Sequence, residues 1–164
     1  MEGDIYSFGF ASSHDALLAA DPNSPAVASE ISRVASMRRV RGRDVWSVLR
    51  NTGQVIPVGG TFALYNLFVK TDSSNDYVSA LSRVEAGLHE GGFDDVAVAA
   101  YYVNTGENAG QVVASFFADS TRRIGALLDA MNESSFATAF GSVEATREVV
   151  RGEILSCQVH AVGQ

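Results

Sequence analysis

The sequence predicts an α+β fold in which a β-α-β half-unit precedes a complete β-α-β-β-α-β unit. Three observations carry this. Along residues 61–163 the apolar spacing switches repeatedly between two and three-to-four, the periods of strand and helix. Residues 104–110, rich in glycine and asparagine, separate a pair of β-prone runs as a hairpin loop would. Finally, residues 17–42 recur at an offset of 110 with nine identities, among them Leu17-Leu18 with Leu127-Leu128 and Val40-Arg41-Gly42 with Val150-Arg151-Gly152. The first copy therefore reads as the second half of a unit whose complete version follows, opening mid-unit as a truncated reading frame would. The expected organisation is a half-repeat at 1–50, a linker at 51–60 (NTGQVIPVGG) and a complete unit at 61–164.

The half-unit is expected to supply a strand from Asp4 to Ala11, a helical region broken by Pro22 and Pro25 that runs to about Arg39, and a strand from Arg43 to Arg50. In the complete unit, Thr61 to Lys70 (TFALYNLFVK) has the aromatic and branched side chains of a strand. A helix capped by Ser74 or Asn75 should follow, with Tyr77, Leu81, Val84 and Leu88 as its apolar stripe and Gly91-Gly92 as its stop. Asp95 to Val103 and Gln111 to Ala118 form the hairpin. From Ser120 a helix carries Ile124, Leu127, Leu128 and Met131, and it restarts near Ser134 with Phe136, Phe140 and Val143. Val149 to Val159 closes the unit as a strand. This order is the split βαβ arrangement of ferredoxin-like folds, in which both helices cover one sheet face. The opposite face, with no helix of its own, needs a second layer, and a second chain is the expected source.

Composition excludes several classes. Hydrophobic residues are 46% of the 164 and charged residues 19%, which is incompatible with a disordered chain. No apolar run is long enough to cross a bilayer, and the start Met1-Glu2-Gly3-Asp4 lacks a secretory pattern, so a cytoplasmic address is expected, with no membrane partner. The net charge of −7 disfavours generic nucleic-acid binding. Eleven of the twelve basic residues are arginine, and Arg33, Arg38, Arg39, Arg41, Arg43 and Arg50 fall in one stretch. That stretch reads either as an anion or partner patch or as a helix C-terminus followed by a charged edge strand.

Element order, the hairpin and the strand-to-helix passage Ser115-Phe116-Phe117-Ala118-Asp119-Ser120 together resemble the dimeric α+β barrel superfamily. This superfamily includes antibiotic biosynthesis monooxygenase-like domains, stress-responsive α/β-barrel proteins and muconolactone isomerase-like enzymes. The resemblance implies a homodimer whose sheets face each other and enclose a small apolar or aromatic molecule, with cofactor-independent monooxygenase- or isomerase-like chemistry. Haem-degrading relatives use an asparagine, a tryptophan and a histidine. Asn66 could match the first, but the third strand carries Phe116-Phe117 and Trp46 lies in the half-unit, a departure that argues against haem chemistry.

The candidate site follows from strand alternation. If Ala63, Tyr65, Leu67 and Val69 face the helices, Asn66 points with Phe62, Leu64 and Phe68 toward the opposite layer. Ser115, Gln158 and His160 are expected to point the same way, Asn66 converging with Gln158 or His160 because the first strand should lie beside the last. Tyr101 and Tyr102 take opposite faces, and either could enter the pocket. The functional reading is an apolar cavity with a few orienting polar groups; the alternative is a non-catalytic oligomerisation module whose polar atoms bond to one another.

Other motifs have structural readings. His89 follows Glu85 by one helical turn and precedes Glu90, a spacing open to two metal ligands on one helical face but with no second histidine or cysteine nearby in sequence. Asp15, after His14, suits a helix start, and Cys157 a buried strand. Asn132-Glu133-Ser134 matches a glycosylation triplet that has no consequence without secretion. No phosphate-binding glycine loop, nucleophile elbow or zinc spacing is present, so no cofactor or metal is expected.

Overall fold

A computed structural model describes residues 5–19, 25, 29, 32–33, 42–131 and 133–160. The described elements are α1 (His14–Ala19), β1 (Trp46–Arg50), β2 (Thr61–Lys70), α2 (Ser74–Glu90), β3 (Ala97–Val103), β4 (Val112–Ala118), α3 (Thr121–Ala130), α4 (Ser134–Glu144) and β5 (Glu148–Gln158). The chain divides into two compact units, one of which is Asp44–Val162 and contains all five strands. The mixed α+β class expected from the sequence is observed.

In the other unit, residues 5–11 form no strand, a correction to the expected Asp4–Ala11 element. Ile5 and Phe10 stay exposed, and a strand needs a hydrogen-bonded neighbour that local composition cannot supply. Helix α1 has Asp15 in its first turn, as expected, and the Ser13 hydroxyl accepts from Ala16 N at 3.1 Å. Of the expected proline-broken helical continuation toward Arg39, residues 25, 29 and 32–33 are described and helical, while Arg38, Arg39 and Arg41 lie outside the described residues.

The five strands form one sheet in the order β1-β3-β4-β2-β5, with every neighbouring pair antiparallel. The strand expected to close the half-unit is thus β1, hydrogen-bonded to β3 and belonging to the compact unit that begins at Asp44. Its register shifts between Val48 and Arg50, and the chain returns to the sheet at Thr61.

One face of the sheet is covered by helices. Ala63, Leu67 and Val69 of β2, Val98 and Ala100 of β3, and Ala114 and Phe116 of β4 pack with Tyr77, Leu81, Val84 and Leu88 of α2, Ile124 and Leu127 of α3, and Phe136, Phe140 and Val143 of α4. Each fully buried large side chain in this layer contributes roughly 1.5–3 kcal/mol. Helices α2 and α3 begin where the sequence provides caps: Ser73, one residue before the expected position, accepts from Asp76 N at 3.3 Å, and Ser120 accepts from Arg123 N at 3.2 Å. Gly91 caps α2 and Gly92 follows at φ +85°. The hairpin loop turns through Gly106 at φ +94°, a backbone conformation that favours glycine, and the Asp44 carboxylate packs against its bare Cα.

Two side chains of α2 tie it to β3. Glu85 accepts from Val98 N at 2.8 Å and pairs with Arg50, which also donates to Val98 O. His89 Nε2 lies 3.0 Å from Val96 O, the geometry of an N–H donor. The Glu85–His89 spacing therefore serves backbone groups at the start of β3, and Arg50 of the basic stretch neutralises one of its members. Among the described residues no group of three or more potential metal ligands exists, and no helix is long and apolar enough to cross a membrane.

Candidate functional site

Direct pairing in an antiparallel sheet sets two side chains on the same face, so the register determines which residues can meet. Asn66 of β2 pairs with Ser115 of β4 on one side and with Glu153 of β5 on the other. All three therefore lie on the face away from the helices, together with Leu64, Phe68 and Phe117. Asn66 and Ser115 are 1% and 2% exposed, the two buried polar side chains among the described residues.

Their contacts form a directed chain. The Ser115 hydroxyl donates to Asn66 Oδ1 at 2.6 Å, and Asn66 Nδ2 donates to Glu153 Oε1 at 3.3 Å. The other Glu153 oxygen, Oε2, lies 3.9 Å from the Arg151 guanidinium, which stacks 4.0 Å above the Phe68 ring. This arrangement fixes the amide orientation: its oxygen faces the hydroxyl and its nitrogen the carboxylate. Burying two polar side chains in an apolar face is tolerable only because each has a partner.

Aromatic rings frame the chain. Trp46, Phe68, Tyr101, Val103 and Val113 pack as a second, smaller cluster. Trp46 meets Phe68 edge-on with centroids 6.1 Å apart and Tyr101 at 5.9 Å, while Phe62 stacks on Phe117 at 5.8 Å. Tyr101 is thus the member of the tyrosine pair on this face, and burial raises its hydroxyl pKa; Tyr102 packs against the helix-side core. Trp46 reaches the face because β1 joins the sheet, a connection no local pattern reveals.

Of the expected site residues, Asn66 and Ser115 come together and Gln158 and His160 do not. Gln158 pairs with Thr61, on the side of Ala63 and the helices, where it is exposed and donates to Gly59 O at 3.3 Å. His160 lies past the end of β5 and is exposed. The expected convergence fails because both alternating sets of β5 contain apolar residues, so alternation alone cannot assign its faces; the β2–β5 register does. It places Arg151, Glu153, Leu155 and Cys157 on the face that carries Asn66. Glu153 and Arg151 were missed for that reason, although opposite charges two apart on one strand are a usable signal. The Cys157 thiol, half-buried opposite Phe62, has its pKa raised by burial, the reverse of an activated nucleophile.

The chemistry available is restricted. The Ser115 proton is committed to a neutral amide oxygen, a poor base, so the hydroxyl is not arranged as a nucleophile. Glu153, with a side chain 19% exposed, offers a carboxylate that can accept a hydrogen bond or a proton. Two cavities lie elsewhere: one of about 740 Å³ between α2 and α4, bordered by Arg83, Glu90, Glu133 and Phe136, and one of about 430 Å³ beside Lys70, Asp76 and Arg147.

No protein-family model matches the chain, and no curated protein does. Among solved structures, a conserved protein of unknown function from Bacteroides thetaiotaomicron, described as a possible oxidoreductase, is similar over 61% of this chain and 100% of its own, with 15% identity and a TM-score of 0.40.

Proposed function

We propose that the chain holds a ferredoxin-like unit that binds a small apolar or aromatic molecule on the non-helical face of its sheet, with Asn66, Ser115 and Glu153 orienting the molecule's polar group. The order β3-β4-β2-β5, with both crossovers helical and on one face, supports the unit. The observation that carries the binding reading is the Ser115–Asn66–Glu153 chain amid aromatic rings: a hydroxyl, an amide and a carboxylate brought together by register in an otherwise apolar layer. Any reaction would use Glu153 as proton acceptor, in line with the cofactor-independent monooxygenase- or isomerase-like chemistry expected from the family resemblance.

A second reading is a non-catalytic module with a filled interior. It is favoured by the mutual satisfaction of the polar atoms and by the Arg151 guanidinium seated on Phe68. Native mass spectrometry of the purified protein, followed by titration with small phenols and aromatic acids read through Trp46 fluorescence, separates the two. Binding predicts a saturable signal that Asn66→Leu weakens at least about tenfold, the usual cost of one buried polar contact. No companion mass and no saturable response leave only the filled module.

A further inference from the structure

Strand β5 ends the sheet: among the described residues no strand lies beyond it, although it is eleven residues long. Its outer backbone groups are a row of donors and acceptors without a strand partner, and three of its large apolar side chains are exposed: Val149 at 51%, Val150 at 42% and Ile154 at 49%. An edge of this length and character calls for a cover. We propose that the cover is β5 of a second copy of this chain, paired antiparallel about a two-fold axis at Gly152, so that two five-stranded sheets become one. The homodimer expected from the sequence was a face-to-face one; the edge is a different surface.

The register comes from the side chains. A two-fold axis at Gly152 sets Arg151 of each copy opposite Glu153 of the other, giving two opposite-charge cross-strand pairs in place of the long 3.9 Å contact within one strand. On the helix side, Ile154 of each copy meets the valines of the other. The register shift between Phe68 and Val69 leaves Val150 as an extra residue beside Val149, so two valines face one isoleucine. Moving the axis to Glu153 would set two carboxylates opposite each other and face Arg151 with Leu155. An axis at Glu153 or Arg151 sets like charges opposite each other and one at Ile154 leaves both charges facing uncharged residues, so the axis at Gly152 is the one that pairs Arg151 with Glu153, and a self-complementary patch is what a two-fold interface requires.

The proposal rests on the sheet edge and is independent of ligand binding, so dimerisation in a variant that has lost the ligand, or the reverse, separates the two. Light scattering on the full chain over a concentration series should show a dimer. Arg151→Glu, which opposes carboxylates at both pairs, and Ile154→Lys should each raise its dissociation constant by at least about tenfold, whereas the combined exchange R151E/E153R should return it to within about threefold of the parent. Should a variant fail to fold, hydrogen exchange on the parent protein decides: amide protection across residues 150–154 should rise with protein concentration. A parent that stays monomeric, a dimer indifferent to Arg151→Glu and Ile154→Lys, or exchange independent of concentration overturns the proposal.

Discussion

The two faces of the sheet are built from the same strands but on opposite principles. The helix side joins α2, α3 and α4 to the sheet in one continuous, mostly apolar layer, in which the hydroxyl of the buried Tyr77 accepts from Arg147. The other side has a smaller cluster around Phe68, Val103 and Val113, with Asn66 and Ser115 buried in the same face. Stability therefore resides mainly on the first face, while the second accepts the cost of polar burial. Such local departures from an all-apolar layer are where function is expected.

The largest effect that tests this contrast belongs to the helix side. Leu81→Ala removes a fully buried side chain between α2 and the sheet and should cost about 2–5 kcal/mol in urea unfolding, with ligand affinity unchanged in the protein that remains folded. On the other face, Asn66→Leu strands the Ser115 hydroxyl and should cost about 1–3 kcal/mol, some of which Asn66→Leu combined with Ser115→Ala should recover, because removing the hydroxyl leaves only the Glu153 oxygen without its amide donor. If the double variant is no more stable than Asn66→Leu alone, the hydroxyl–amide bond is not the relevant coupling.

The smallest effect lies at the surface. Arg123 donates to both Asp95 oxygens and lowers the Asp95 carboxyl pKa. A carboxylate with a lowered folded pKa contributes stability above its unfolded value, and that contribution disappears as pH falls through the folded one. Arg123→Ala should thus cost less than about 1 kcal/mol at neutral pH, the side chains being partly exposed, and the gap to the parent should narrow on acidification below about pH 4.

Much of the architecture was legible in the sequence. The stripe Tyr77-Leu81-Val84-Leu88, the stop at Gly91-Gly92, the glycine-bearing hairpin and the helical region that starts at Ser120 and restarts at Ser134 are local patterns, and helix and turn formation depends on nearby residues. The aim of Asn66 and Ser115 away from the helices was legible for a similar reason: the flanking residues of β2 are almost wholly apolar on one side.

Three matters were decided only by tertiary pairing. Trp46 reaches the second face because β1 joins β3 across the whole of β2 and α2. Glu153, and not Gln158 or His160, stands beside Asn66 because one register out of several was selected. Residues 5–11 form no strand although their composition suits one. Each depends on backbone hydrogen bonds between segments distant in sequence. Periodicity specifies that side chains alternate, but the partner strand and its alignment determine which neighbours they meet.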